Sequence, residues 1–94
     1  MKKEAFILYW TGEKKDILPK SGKTFSLEEL QEFVGGYIEM LYLEEGKYIM
    51  VVNEEGKYMT PQKNEQATRI ASGTIDPEDY IAGNALVVHK SFID

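Results

Sequence analysis

A run of acidic side chains is the first feature of this sequence whose residue types and spacing could do chemistry. Asp76, Glu78 and Asp79 lie within four residues of one another, and carboxylates at such spacing can bind calcium. The calcium-binding loop, with its central glycine and closing glutamate, is absent around them. Acidic residues in the first turn of a helix explain the same pattern, because they interact favourably with the helix dipole. We therefore predict no metal site and no cofactor.

His89 is the only histidine, and it ends the strand-like run LVVH. A histidine acting as a general base needs a nucleophile to activate and a third group that orients it. No sequence motif supplies these partners to His89, so we predict a structural or surface role. The chain has no cysteine, which excludes a thiol nucleophile and a thiolate metal site. The sequence predicts no catalytic residues and a protein that is not an enzyme.

One segment has the residue types of an anion-binding site, the start of the second predicted helix. Free amide groups at a helix start attract anions, and Lys63 and Arg69 are close in sequence to Asn64, the expected cap. A plain capped surface helix is the alternative, since no glycine-rich approach precedes Asn64. We retain Lys63, Asn64 and Arg69 as candidate ligand-binding residues for an anion or a nucleotide.

Composition limits the class of protein further. Ninety-four residues are the size of one ordinary domain, so we expect a single domain over 1–94. The formal net charge is -5, which repels nucleic-acid backbones and predicts no nucleic-acid partner. No stretch approaches the roughly 20 apolar residues that cross a bilayer, so we expect no membrane association. The absence of cysteine is compatible with a cytoplasmic location.

The elements that must position these residues begin with two helices. Ser26 and Glu29 have the spacing of a capping box, and Gly35 can close the helix in the left-handed conformation, which predicts a helix over 26–34. A shorter helix is predicted over 65–71 after Asn64.

Strand-like runs surround these helices. The apolar run AFILYW predicts a first strand, residues 16–18 a short second one, and ALVVH a last one. YIEMLYL and YIMVVN flank the first of two EEGKY segments, which predicts a hairpin turn. The second EEGKY predicts another turn of a β-meander. We expect an α+β fold with a mainly antiparallel sheet of four or five strands, packed by the two helices.

The turn predicted at 43–47 pairs Tyr42 with Tyr48, Met40 with Met50 and Ile38 with Val52 on one side of the sheet. We expect both helices to cover this side and form the main core with it. The opposite side is then a mixed surface that is partly exposed and suited to an interface. Its members are Tyr37, Glu39, Leu41, Ile49, Val51 and Asn53. We take the first five of these as candidate interface residues.

The ordered series FSLEELQEFVGGYIE, VVNEEGKYMTPQKNEQAT and IAGNALVV resembles a family of small proteins, a domain of unknown function encoded by bacteriophages, conjugative elements and their bacterial hosts. The resemblance covers roughly residues 24–88 and depends on LQEFVGGYIE followed by NEEGK and then NEQAT. It implies an accessory role in a mobile element, such as blocking a host defence. The family supplies no catalytic residues to carry over.

Two functions follow as hypotheses. The first is a non-enzymatic module that binds a protein partner, or a second copy of itself, through the mixed surface or an exposed strand edge. The second is a protein that binds or sequesters a small anionic ligand at the Asn64 helix start.

Overall fold

Strands and helices alternate irregularly along the chain in the computed structural model, which describes residues 4–59 and 62–93. The strands are β1 Ala5–Leu8, β2 Lys14–Asp16, β3 Ile38–Leu43, β4 Tyr48–Asn53 and β5 Ala85–His89. The α-helices in these ranges are α1 Leu27–Val34, α2 Gly56–Met59 and α3 Glu65–Ile70. Short 3-10 turns span Glu44–Gly46 and Lys90–Phe92. None of these helices has the length and apolar character needed to cross a membrane.

The five strands form one antiparallel sheet in the order β2-β1-β5-β4-β3. The predicted α+β fold with an antiparallel sheet is confirmed, and β3, β4 and β5 are neighbours in meander order. The second strand lies at Lys14–Asp16 instead of 16–18. It starts earlier because the amide of Tyr9 donates to the carbonyl of Glu13, which closes a tight turn directly after β1.

Both predicted helices form where their caps indicated. The Ser26 hydroxyl accepts from the Glu29 amide at 3.1 Å, and the Glu29 carboxylate accepts from the Ser26 amide at 2.9 Å, which completes the capping box of α1. Gly35 ends α1 in the left-handed conformation, with φ of 82°. Asn64 caps α3, and Ala71 ends it.

The helices lie on opposite faces of the sheet, and each face has its own core. The α1 face buries Ala5, Ile7, Phe25, Leu30, Ile49, Val51, Leu86 and Val88. The α3 face buries Phe6, Leu8, Leu43, Met50, Val52, Ala67, Ala71, Ile81, Ala85 and Val87. The prediction that both helices cover one face was wrong, because β4 and β5 are apolar on both sides and each side needs a covering layer.

The predicted register of the β3–β4 hairpin was also wrong, by one residue. Leu43 pairs with Tyr48 and Leu41 with Met50, so Tyr42 does not face the same side as Tyr48. The turn is shorter than expected because Glu44 and Glu45 both adopt positive φ, of 48° and 57°. A one-residue slip moves every side chain of a strand to the other face. It places Leu43 in the α3-face core and leaves Tyr42 exposed.

The second EEGKY segment is not a hairpin turn. The side-chain oxygen of Asn53 accepts from the Glu55 amide at 2.7 Å, and Gly56 then begins the short helix α2. A Cβ on Gly56 would lie 2.9 Å from the carbonyl oxygen of Ala82, so this close backbone approach requires glycine. The two copies therefore share a sequence but not a backbone conformation.

Candidate functional site

The strand β3 lies at one edge of the sheet and has backbone groups that form no hydrogen bond with another strand. The amide of Glu54 donates to the carbonyl of Tyr37, so these two opposite residues form a hydrogen-bonded pair at the start of the hairpin. In an antiparallel pair, every second residue bonds to its neighbour. Residues 39, 41 and 43 therefore bond to β4, and Ile38, Met40 and Tyr42 direct their amides and carbonyls outward. We call these outward backbone groups the β3 edge.

The β3 edge is almost uncovered by the described part of the chain. The Thr74 hydroxyl donates a long hydrogen bond, 3.5 Å, to the carbonyl of Tyr42. Within residues 4–59 and 62–93, no hydrogen bond reaches the outward groups of Ile38 or Met40. Exposed aromatic rings flank them, since Tyr37 is 70% exposed and Tyr42 is 61% exposed. An edge of this kind is a template for pairing with another strand.

The predicted interface residues divide between this edge and the interior. Ile49 and Val51 are 5% and 0% exposed in the α1-face core, so neither can contact a partner while the protein is folded. Tyr37 and Glu39 are exposed, and Leu41 is half-buried against the α3-face core. The shifted register explains this division, because the five residues were assigned to one surface that does not exist.

A pocket of about 160 Å³ adjoins β3 on the α3 face, and we call it the rim pocket. Leu41, Val52 and Ile75 supply apolar walls. Four acidic residues, Glu39, Glu54, Glu55 and Asp79, also line it. An apolar interior with a negative rim suits a long side chain that has an aliphatic stem and a positive end.

Asp79, which lines the rim pocket, already has a partner for its negative charge. The Lys57 ammonium group forms an ion pair with the Asp79 carboxylate and lies 4.8 Å from the centre of the Tyr80 ring. The hydrogen bond from Lys57 lowers the pKa of Asp79, and the bond to Asp79 raises the pKa of Lys57. The carboxylates that remain for a partner are those of Glu39, Glu54 and Glu55.

The candidate anion-binding residues are not brought together around free donors. The buried side chain of Asn64 accepts from the Ala67 amide at 3.1 Å and donates to the carbonyls of Leu8 and Gly83 at 2.9 and 2.8 Å. Lys63 forms an ion pair with Glu65 at 3.2 Å, and Arg69 is exposed in the last turn of α3. Both N–H donors of the Asn64 side chain are used within the fold, and the buried side chain is not accessible to a ligand. The binding role of Lys63, Asn64 and Arg69 stays a prediction.

His89 has a serine neighbour that the sequence reading missed. Its Nδ1 lies 2.9 Å from the Ser91 hydroxyl oxygen and accepts from the Ser91 amide at 3.1 Å. The i to i+2 spacing in HKS is the signal that could have revealed this contact. The hydrogen bond from the Ser91 amide makes the His89 ring a cap for the 3-10 turn at Lys90–Phe92. Among the described residues, no carboxylate forms a hydrogen bond with the ring as an orienting group. The pair is a local turn contact.

The acidic run at 76–79 forms a turn, with the Asp79 amide bonded to the Asp76 carbonyl. In the described ranges, no group of three or more acidic or histidine side chains is placed to hold a metal ion. The prediction that these acidic residues begin a helix was wrong, since the segment between α3 and β5 contains no helix.

The asparagines of the NEEGK and NEQAT segments brace the backbone. Asn53 donates to the carbonyl of Val34 at 3.1 Å and so connects the end of α1 to the end of β4. A Cβ on Gly36 would lie 2.9 Å from the side-chain nitrogen Nδ2 of Asn53, so glycine leaves room for this hydrogen-bonding side chain. These two asparagines therefore have a structural role.

The fold and site define a small α+β domain with one open sheet edge. The chain belongs to the family described as a domain of unknown function, DUF3846, whose model matches residues 10–92. Neither the curated proteins nor the solved structures include a significant match to the chain.

Proposed function

We propose that this protein is a non-enzymatic interaction module that binds an extended segment of another protein along the β3 edge. The observation that carries the proposal is the set of outward amides and carbonyls at Ile38, Met40 and Tyr42 on a six-residue edge strand. Adding a strand to such an edge satisfies these groups through main-chain hydrogen bonds. The exposed rings of Tyr37 and Tyr42 supply aromatic contact area at both ends.

A different protein fits this edge better than a second copy of the same chain. Two copies paired through β3 would bring together the same exposed carboxylates, including Glu39 in mid-strand and Glu44 at the turn. Each copy also has a formal net charge of -5. Like charges along a shared interface are destabilising. The homodimer is therefore an outcome that the experiment must test.

The biological setting is part of the proposal. An accessory role in a phage or another mobile element, in the cytoplasm, has its support in the sequence resemblance and composition. The second hypothesis, a small-ligand binder at Asn64, gains no support from the geometry, because that side chain is buried and both of its N–H donors are used within the fold.

Selection of binding peptides from a random library tests the proposal. The selected peptides are then tested on two variants, each with a proline in one edge strand. Tyr42→Pro removes one outward amide from β3, and Asp16→Pro removes the corresponding outward amide from β2. We expect peptides selected on the wild type to bind Asp16→Pro normally and Tyr42→Pro at least about tenfold more weakly. Tyr42→Ala, which leaves the backbone unchanged, should weaken binding by a smaller factor.

Amide hydrogen exchange locates the peptide. In the complex, we expect new protection at the amides of Ile38, Met40 and Tyr42, which exchange rapidly in the free protein. Peptides that protect other segments, or that bind Tyr42→Pro as well as wild type, would overturn the proposal. A stable dimer in light scattering that protects the same amides would show that the occupant is a second copy.

A further inference from the structure

We propose that the segment bound at the β3 edge alternates apolar and basic residues, with its lysines or arginines over the rim pocket. This inference rests on the proposed function and names the chemistry of the partner. It is carried by the charges around β3 and by the difference between the two sides of the strand.

The acidic side chains around β3 have no ion-pair partner in the described part of the chain. Ion pairs there join Lys57 to Asp79 and Lys63 to Glu65. Five exposed glutamates lie in β3 or next to its ends, and none belongs to these pairs: Glu39, Glu44, Glu45, Glu54 and Glu55. A positive segment on the β3 edge would meet complementary charge along its whole length.

The positive side chains of the segment are expected on the α3 face of the sheet. A strand added to the edge would bond to Ile38, Met40 and Tyr42, so its residues opposite Glu39 and Leu41 form the closely spaced, non-bonded pairs. Their side chains extend to the α3 face, as those of Glu39 and Leu41 do. A lysine or arginine there can lay its stem against Leu41 and Ile75 at the rim pocket and reach the Glu39 carboxylate.

The α1 side of the strand selects apolar residues. Residues of the segment opposite Ile38, Met40 and Tyr42 would extend to the α1 face beside those side chains. Ile38 and Met40 are half-buried at the margin of the α1-face core, and Tyr42 is exposed. Apolar cross-strand pairs stabilise such an arrangement. The expected segment of about five residues therefore reads apolar, basic, apolar, basic, apolar.

Three synthetic peptides of about seven residues test this pattern. One alternates valine with lysine, one alternates valine with glutamate, and one has the composition of the first with its lysines in a single run. We expect the alternating lysine peptide to bind about tenfold more tightly than either of the others and to lose affinity as salt is added. It should protect the outward amides of Ile38, Met40 and Tyr42 from exchange.

Charge reversal on each edge strand supplies the matched variants. Glu39→Lys on β3 should weaken the lysine peptide about tenfold and improve binding of the glutamate peptide. Asp16→Lys makes the same change of charge on β2, and it should leave both affinities within about twofold of the wild type. Both positions are exposed, so both variants should fold.

The outcomes separate this inference from the proposed function. If the glutamate peptide protects the same amides with equal affinity, the basic pattern is wrong and the edge still binds segments. Equal effects of Glu39→Lys and Asp16→Lys would also overturn the pattern. If none of the three peptides binds, the pattern is wrong, and the library selection with Tyr42→Pro decides the proposed function by itself.

Discussion

β2 and β3 form the two edges of one sheet, yet they differ in length and in the side chains that they expose. β2 has three residues, Lys14, Lys15 and Asp16, and all of them are exposed and charged. β3 has six residues, and Glu39 is its one charged residue. Short length and charge are the usual means by which proteins prevent edge pairing. β2 is therefore protected from pairing with another strand by its short length and its charge, whereas β3 is left open to such pairing.

The turns that precede or follow these edges differ as well. Gly12 takes the positive φ of 103° in the turn between β1 and β2. In the turn after β3, Glu44 and Glu45 take positive φ without the freedom of glycine, which costs about 1 kcal/mol for each residue. The β3 side therefore has both an open edge and a strained acidic turn, and strained backbone of this kind clusters at functional sites.

The largest expected effect concerns how firmly each edge strand is attached to the core. Leu43→Ala in β3 should lower the free energy of unfolding by about 3 kcal/mol, because Leu43 is buried in the α3-face core. Lys15→Ala in β2 should change it by less than about 0.5 kcal/mol. Urea unfolding followed by circular dichroism measures both. A larger loss for Tyr42→Ala than for Leu43→Ala would contradict the observed register of β3.

An intermediate effect on the free energy of unfolding is expected at the two turns, with opposite signs. Glu45→Gly should raise the free energy of unfolding by roughly 0.5–1 kcal/mol, because glycine adopts positive φ without strain. Gly12→Ala should lower it by roughly 1–2 kcal/mol for the converse reason. Thermal unfolding of the two variants beside the wild type provides the measurement. Effects of the same sign would show that the turns do not differ as described.

The smallest expected effect depends on pH and is confined to the β2 side. The Glu29 carboxylate accepts from the backbone amides of Ser26 and Lys20, at 2.9 Å each, and so connects the segment after β2 to α1. These bonds hold the pKa of Glu29 below its ordinary value. Between the native and ordinary pKa values, the unfolded chain binds more protons at Glu29 than the native protein does. The contribution of Glu29 to stability is therefore lost as the pH falls through the native pKa.

Glu29→Gln should flatten the decrease of stability in this acid range. The amide resonances of Lys20 and Ser26 should titrate with Glu29 in the wild type and lose this transition in Glu29→Gln, while the acid shifts of the β3 amides should be the same in both proteins. Chemical shifts recorded by NMR across the acid range check this expectation. Acid shifts of the β3 amides that change in Glu29→Gln would show that the two edges are coupled, which the separate contacts of Glu29 do not suggest.

Much of the fold could be predicted because its signals are local. Ser26 and Glu29 are three residues apart, Gly35 follows the helix directly, and Asn64 precedes α3, so each cap is specified within one turn of chain. The last strand, Ala85–His89, was predicted with its observed bounds. The side chains on each face of β3 were predicted less well, because they required the correct register of β3 against β4, and two positive φ values at Glu44 and Glu45 changed that register.

Local sequence specified α1, α3, their N-terminal caps and the apolar character of β1, β4 and β5, because these depend on residues that are near one another in the chain. Three features emerge only in the folded chain: which strands lie at the edges, which face each helix covers, and the interior position of Ile49 and Val51. Those features depend on contacts between distant segments, such as β5 inserted between β1 and β4. The physical reason is that strand pairing is decided by the joint burial of both sheet faces, which no single segment encodes.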